Sequence, residues 1–185
     1  MGRNVQVVLL CEDKQHEVFA RRFLRNQGWF QGRIRAEVAP GGGGDAKQFV
    51  RQHFPGLLSV YRARRGWTNQ VLLVMIDGDN EGVQPRLDEL KRACQSLGIP
   101  PRSDDERVAV FVPTWQIETW LAYLSGETVD EAKSDYPRLG RQRECKEHAE
   151  VLHGMCQNRE LRQPAPPSLT VACEEYRQRI EGIAR

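Results

Sequence analysis

The chain has 185 residues and 21.2 kDa, with 39% hydrophobic and 28% charged residues, which suits one packed domain and excludes a disordered chain. No apolar stretch approaches the roughly 20 residues that span a bilayer, and Val5 to Leu10 lacks a cleavage-site pattern. The expectation is a soluble, cytoplasmic protein with no membrane partner. The net charge of +2 leaves the partner open, but 22 of the 27 basic residues are arginine, whose forked guanidinium suits phosphate and carboxylate.

In chain order, Val5 to Leu10 is an apolar, β-branched-rich run and predicts a fully buried strand. Gln15 to Asn26 places Phe19, Phe23 and Leu24 on one helical face, and Gly28 closes that helix. Ile34 to Val38 is a second strand. Pro40 and Gly41 to Gly44 form a flexible loop, after which Asp45 is expected to cap a helix carrying Phe49 and Val50. Pro55 and Gly56 are expected to break it, with a second piece over Leu57 to Arg64.

Val71 to Ile76 is an unbroken apolar hexamer that ends in Asp77. Pro85, at a first helical position, opens an amphipathic helix through Leu87, Leu90 and Cys94, stopped by Gly98 and Pro100. Val108 to Val112 is another buried strand, Trp115 to Leu124 a largely apolar helix, Glu144 to Met155 a further helix, and Leu169 to Ile183 the last. Apolar strands alternating with amphipathic helices imply an α/β fold with a mostly parallel sheet covered on both faces. In such sheets, function gathers at the carboxyl ends of the strands.

That rule selects acids. Glu12 and Asp13 follow the first strand, Asp77-Gly78-Asp79-Asn80-Glu81 follows the hexamer, and Glu118 opens the helix after the third strong run. Taken singly, acids after strands are ordinary helix caps and turn formers, and Asp13 and Glu17 read best that way. Converging carboxylates raise one another's pKa unless a divalent cation neutralises them. Oxygen-only ligands point to Mg²⁺ or Mn²⁺.

A strand ending in Glu, a helix, then a strand ending in Asp-x-Asp resembles the TOPRIM domain of topoisomerases, bacterial primases and OLD-family nucleases. Val112-Pro113-Thr114-Trp115-Gln116-Ile117-Glu118-Thr119-Trp120-Leu121 is similar to the P-x-x-x-IE-x-W-L segment of small stand-alone TOPRIM proteins of the RloB-like kind, often linked to phage defence. The resemblance covers Val5 to Leu124 and departs at one place. Asp13 stands where those families have Gly, and the second acid is Glu17, one residue beyond its usual place at His16.

The resemblance implies a Rossmann-like TOPRIM domain over residues 1–125, with a small, basic helical extension over 126–185 packed on it. It implies Mg²⁺- or Mn²⁺-dependent hydrolysis of phosphodiester bonds. Asp77, Asp79 and, in the extended D-x-D-x-E form, Glu81 would hold metal. Glu12 would bind metal or act as general acid/base. Glu118 would be a further ligand, an orienter of one, or a helix N-terminal acid. Two-metal sites stabilise attacking and leaving oxygens together.

Arg138, Arg141, Arg143 and Lys146 are candidates to grip a nucleic acid, DNA ahead of RNA, with Lys146 nearest the scissile phosphate; a solvated helix face is the alternative. His16 reads as an acid/base or, better, as a supporting or surface histidine. The tetraglycine lacks a following GK[ST], so an energy-driven step would need a separate ATPase subunit; oligomers are allowed.

Cys11, Cys94, Cys145, Cys156 and Cys173 form no CxxC, which suits buried thiols in a reducing compartment. Cys145, His148, His153 and Cys156 do not make a zinc site, because a helix separates its ends by roughly 16 Å. The rival readings are another Mg²⁺-dependent phosphotransfer enzyme and a non-catalytic regulatory or binding subunit. Asn80 after Asp79 argues against a HAD-type phosphatase.

Overall fold

In the computed structural model the described residues are 5–41 and 45–183. Four strands, β1 (Val5–Cys11), β2 (Ile34–Val38), β3 (Asn69–Met75) and β4 (Val108–Phe111), form one sheet in the order β2-β1-β3-β4. Every pair is parallel.

The alternation of side chains explains why the runs are apolar throughout. Val7, Leu9, Val71, Leu73, Met75, Ala109 and Phe111 face one core, while Val8, Leu10, Leu72, Val74, Val108 and Val110 face the other. Helix α1 (Lys14–Asn26), α4 (Ile117–Leu124), α5 (Lys146–Asn158) and α6 (Pro167–Arg179) cover the first face. Helix α2 (Ala46–Arg64) and α3 (Val83–Ser96) cover the second. Residues beyond 125 are thus part of the first core: Cys145, Ala149, Leu152, Leu169, Ala172 and Tyr176 are buried in it. Phe23 meets Tyr176 edge-on at 5.0 Å between centroids, and Phe111 meets Phe23 and Trp120 at 6.3 Å, joining α1, β4, α4 and α6.

Local expectations need four corrections. Helix α2 runs unbroken past Pro55, because Val50, Phe54, Leu58 and Tyr61 bury one continuous face and that packing outweighs the lost backbone bond. Asp45 makes no side-chain cap to it. Pro85 is the third residue of α3, still among the first-turn N–H positions that lack helical partners. Trp115 lies outside α4, with a φ of 61°, and pairs with Asp79 as an isolated antiparallel bridge. Gly42, Gly43 and Gly44 of the predicted loop lie outside the described residues. Among the described residues no helix is long and apolar enough to cross a membrane.

The sheet register sets up the site. Cys11 pairs with both Val38 and Met75, and Met75 pairs with Phe111, so all four strands end level. Glu12 N–H then donates to Met75 O at 3.1 Å and Ile76 N–H to Phe111 O at 3.2 Å, extending the ladder one step to the acidic rim.

Candidate metal centre

A cleft of about 750 Å³ opens at this rim. Five carboxylates line it, from Glu12, Asp13, Asp77, Asp79 and Glu118, against three cations, Lys14, Lys47 and Arg138. Each acid arrives by a different local device.

Glu12 stands one residue beyond β1 and turns its side chain across to β3, where Oε2 accepts the Asp77 backbone N–H at 2.8 Å. Burial, and then the charge of Asp77, push its carboxyl up to about 7, against the opposing pull of that hydrogen bond and of His16 and Lys47. Asp13 caps α1 instead: Oδ1 accepts the His16 backbone N–H at 2.8 Å. Its carboxyl falls to about 2, because contacts with His16 outweigh the effect of burial. Glu17 pairs with Lys14 and, at 2.7 Å, with Arg21, so it is structural.

His16 is fully buried beneath the rim. Its Nε2 lies 3.0 Å from Asp77 Oδ1, and Nδ1 lies 3.1 Å from Asp13 Oδ1 without an aligned hydrogen bond. Burial favours the neutral ring, but the Asp77 charge and the contacts with both aspartates win and raise its pKa well above the usual histidine value. His16 therefore supports Asp77 from behind and is absent from the cleft lining.

The Asp77–Glu81 turn is built by close approach. Gly78 N–H donates to Pro113 O at 2.7 Å, and a Cβ on Gly78 would stand 3.1 Å from that oxygen and from Val112 Cγ1. The left-handed residue is Asp79, with a φ of 48°, a conformation aspartate tolerates better than most. Its backbone exchanges hydrogen bonds with Trp115, at 2.7 and 3.2 Å, fixing the β4–α4 loop against the turn.

Asp79 is held by two cations that carry no motif in the sequence. Lys47 Nζ sits on both carboxylate oxygens, and Arg86 Nη2 donates to Oδ2 at 3.0 Å. Arg86 is buried, donates through Nε to Asp77 O at 2.9 Å, and pairs with Glu89. Lys47 lies in the first turn of the helix that follows β2, so the strand-end rule extended to β2 would have found it. Arg86 has no comparable signal, since a buried arginine in an amphipathic helix is chosen by tertiary packing.

Glu118 lines the cleft from the first turn of α4, and burial raises its pKa, with Asp77 adding to the rise and Arg138 opposing it. Arg138 Nε lies 3.7 Å from its Oε1. The other expected residues do not join. Glu81 is exposed and absent from the lining. Lys146 is exposed on α5, 3.7 Å from Glu150, and Arg141 and Arg143 are exposed outside the cleft lining, although Gln142 between them belongs to it. Amphipathic phase decides this: Cys145, Ala149 and Leu152 take the buried face of this segment, which turns its cations outward.

Among the described residues, no three His, Cys, Asp or Glu side chains close on one point as a ready-made ion cage. The reason is local: Asp79 is turned onto Lys47 and Arg86. Glu12 and Asp77, by contrast, bring two carboxylates to the rim side by side, and burial followed by the Asp77 charge raises the Glu12 carboxyl. Such a pair fits a hard divalent cation. No family model, curated protein or solved structure matches the chain.

Proposed function

We propose that the chain is a TOPRIM-like nuclease that uses Mg²⁺ or Mn²⁺ to hydrolyse phosphodiester bonds, with DNA favoured over RNA. The observation that carries this reading is the meeting of Glu12, Asp77, Asp79 and Glu118, from three separate strand ends, in one cleft. Glu12 and Asp77 would hold the ion, Asp79 would join them on release from Lys47, and Glu118 would complete or orient the ligand set. The ion would activate water and neutralise charge on the phosphate. Arg138, exposed at the cleft mouth, would contact the polyanion. Glu81 and Lys146 drop out because neither borders the cleft.

The setting proposed with it is cytoplasmic antiviral defence, with a separate ATPase subunit supplying any energy-driven step. The decisive experiment titrates Mg²⁺ and Mn²⁺ against plasmid, single-stranded DNA and RNA. Cleavage by the wild type that disappears in Asp77→Ala supports hydrolysis. Absence of cleavage on every substrate, with a partner ATPase supplied, overturns it. The two cations on Asp79 favour a second reading, a non-catalytic binding subunit, in which neither Mg²⁺ nor Mn²⁺ binds the cleft in calorimetry.

A further inference from the structure

A second cleft, about 330 Å³, is lined by α5, α6 and the segment joining them and shares no residue with the acidic cleft. Two thiols border it. Cys156 of α5 and Cys173 of α6 are half-buried, and their sulfurs are 3.7 Å apart. The remaining cysteines, Cys11, Cys94 and Cys145, are fully buried, and burial raises the pKa of each.

We propose that Cys156 and Cys173 are a modification site: a dithiol that hydroperoxides convert reversibly to a disulfide, stapling α5 to α6. A disulfide bond is about 2.05 Å long, so the sulfurs need to close by roughly 1.6 Å, a rotamer-scale movement at the edge of an open cleft. Cys156 is the attacking sulfur. The two thiols hydrogen-bond to each other with either able to donate, so the Cys173 S–H can stabilise a Cys156 thiolate. Arg159 and Arg177 on the cleft wall are matched by Glu160, Glu174 and Glu181, so the pair's reactivity rests on the closeness of the two sulfurs at an open cleft.

The chemistry balances. Cys156 thiolate attacks one peroxide oxygen, the O–O bond breaks, and after protonation Cys156 sulfenic acid and water (or an alcohol) result. The Cys173 sulfur then attacks the Cys156 sulfur, the S–O bond breaks, and water leaves with the Cys173 proton. The two thiols lose two electrons and the peroxide gains them.

The test exposes the whole chain to a small excess of hydrogen peroxide, alkylates it, and maps its peptides by mass. The expected product joins the Cys156 and Cys173 peptides within one chain, 2 Da lighter than the dithiol, and dithiothreitol reverses it. Cys11, Cys94 and Cys145 stay reduced. With the joined positions 17 apart in the chain, the oxidised protein melts roughly 6–12 °C above the reduced one. In Cys173→Ser, dimedone traps Cys156 as its sulfenic acid and the 2 Da loss vanishes. Alkylation of both thiols after peroxide, a bridge only between chains, or equal melting of the two forms overturns the proposal. The wild-type peptide map decides alone if the serine variant fails to fold.

Discussion

Replacing Glu12 by Gln removes a charge from the rim while keeping an oxygen that accepts the Asp77 N–H, so its effect isolates electrostatics. A carboxyl whose native pKa is raised binds its proton more tightly when folded. Its contribution to stability is therefore complete below the unfolded value of 4.5 and lost as pH rises towards about 7. Two and a half units at about 1.4 kcal/mol each give roughly 3 kcal/mol lost between pH 4.5 and 8. Metal-free Glu12→Gln should then match the wild type in urea midpoint near pH 4.5 and exceed it by about 1–2 M at pH 8, with unchanged m. The rise of His16 above its usual pKa removes stability over the same upward direction, but it does so in both proteins. An equal difference at both pH values would refute the argument that Glu12 carries buried, uncompensated charge. Millimolar Mg²⁺ should restore the wild type at pH 8 and leave the variant unmoved, because only binding to the native state raises stability.

Asp77→Asn should lower metal-dependent cleavage by at least about 100-fold, the loss expected beyond that of an outer-shell group, in a plasmid-nicking assay. Lys47→Met should tighten Mg²⁺ binding about tenfold by calorimetry, since a single charge roughly 6 Å from a divalent ion opposes it by about 1.4 kcal/mol even at the permittivity of water. Gly78→Ala should cost about 1–3 kcal/mol in urea unfolding, as the added Cβ meets Pro113 O and Val112 at 3.1 Å. Glu106→Gln should flatten acid denaturation: contacts with Arg62 outweigh burial and hold the Glu106 carboxyl below its usual value, so its stability is present above the unfolded value and fades as pH falls through the folded one. The midpoint of an acid titration followed by circular dichroism checks it.

The strands were legible because burial on both faces leaves no freedom: Val71 to Ile76 can be apolar at every position only if each side of the sheet is covered. The site was legible for a related reason. Parallel strands that end level deliver whatever follows them to one rim, so Glu12 and Asp77 become neighbours although they stand 65 positions apart in the chain. What the sequence hides is set by side-chain direction. Lys146 and Arg138 look alike as basic residues after the last motif, but the helical phase of Cys145, Ala149 and Leu152 turns one away while the loop before it brings the other to Glu118. Proline at 55 reads as a break locally, and only the common burial of Phe54 and Leu58 against the sheet reveals a continuous helix. The glycine in Asp-Gly-Asp suggests conformational freedom, whereas its use is proximity to the Pro113 carbonyl.

The rim's charges are arranged in pairs: Asp77 with His16, Asp79 with Lys47 and Arg86, Glu118 with Arg138. Among the described residues Glu12 is the exception, receiving one backbone N–H and no contacting cation, and burial together with the Asp77 charge pushes its carboxyl up to about 7. This division has a chemical consequence. Buried Arg86 also grips the Asp77 carbonyl and so holds the turn's shape, whereas Lys47, partly exposed, contacts Asp79 through its ammonium alone. On the proposed reading, a divalent ion would be held by Glu12 and Asp77 and would compete with Lys47 for Asp79, and the lysine, still bordering the cleft, would then be free to meet a phosphate. Under that proposal, metal and phosphate would enter more readily together than either would alone.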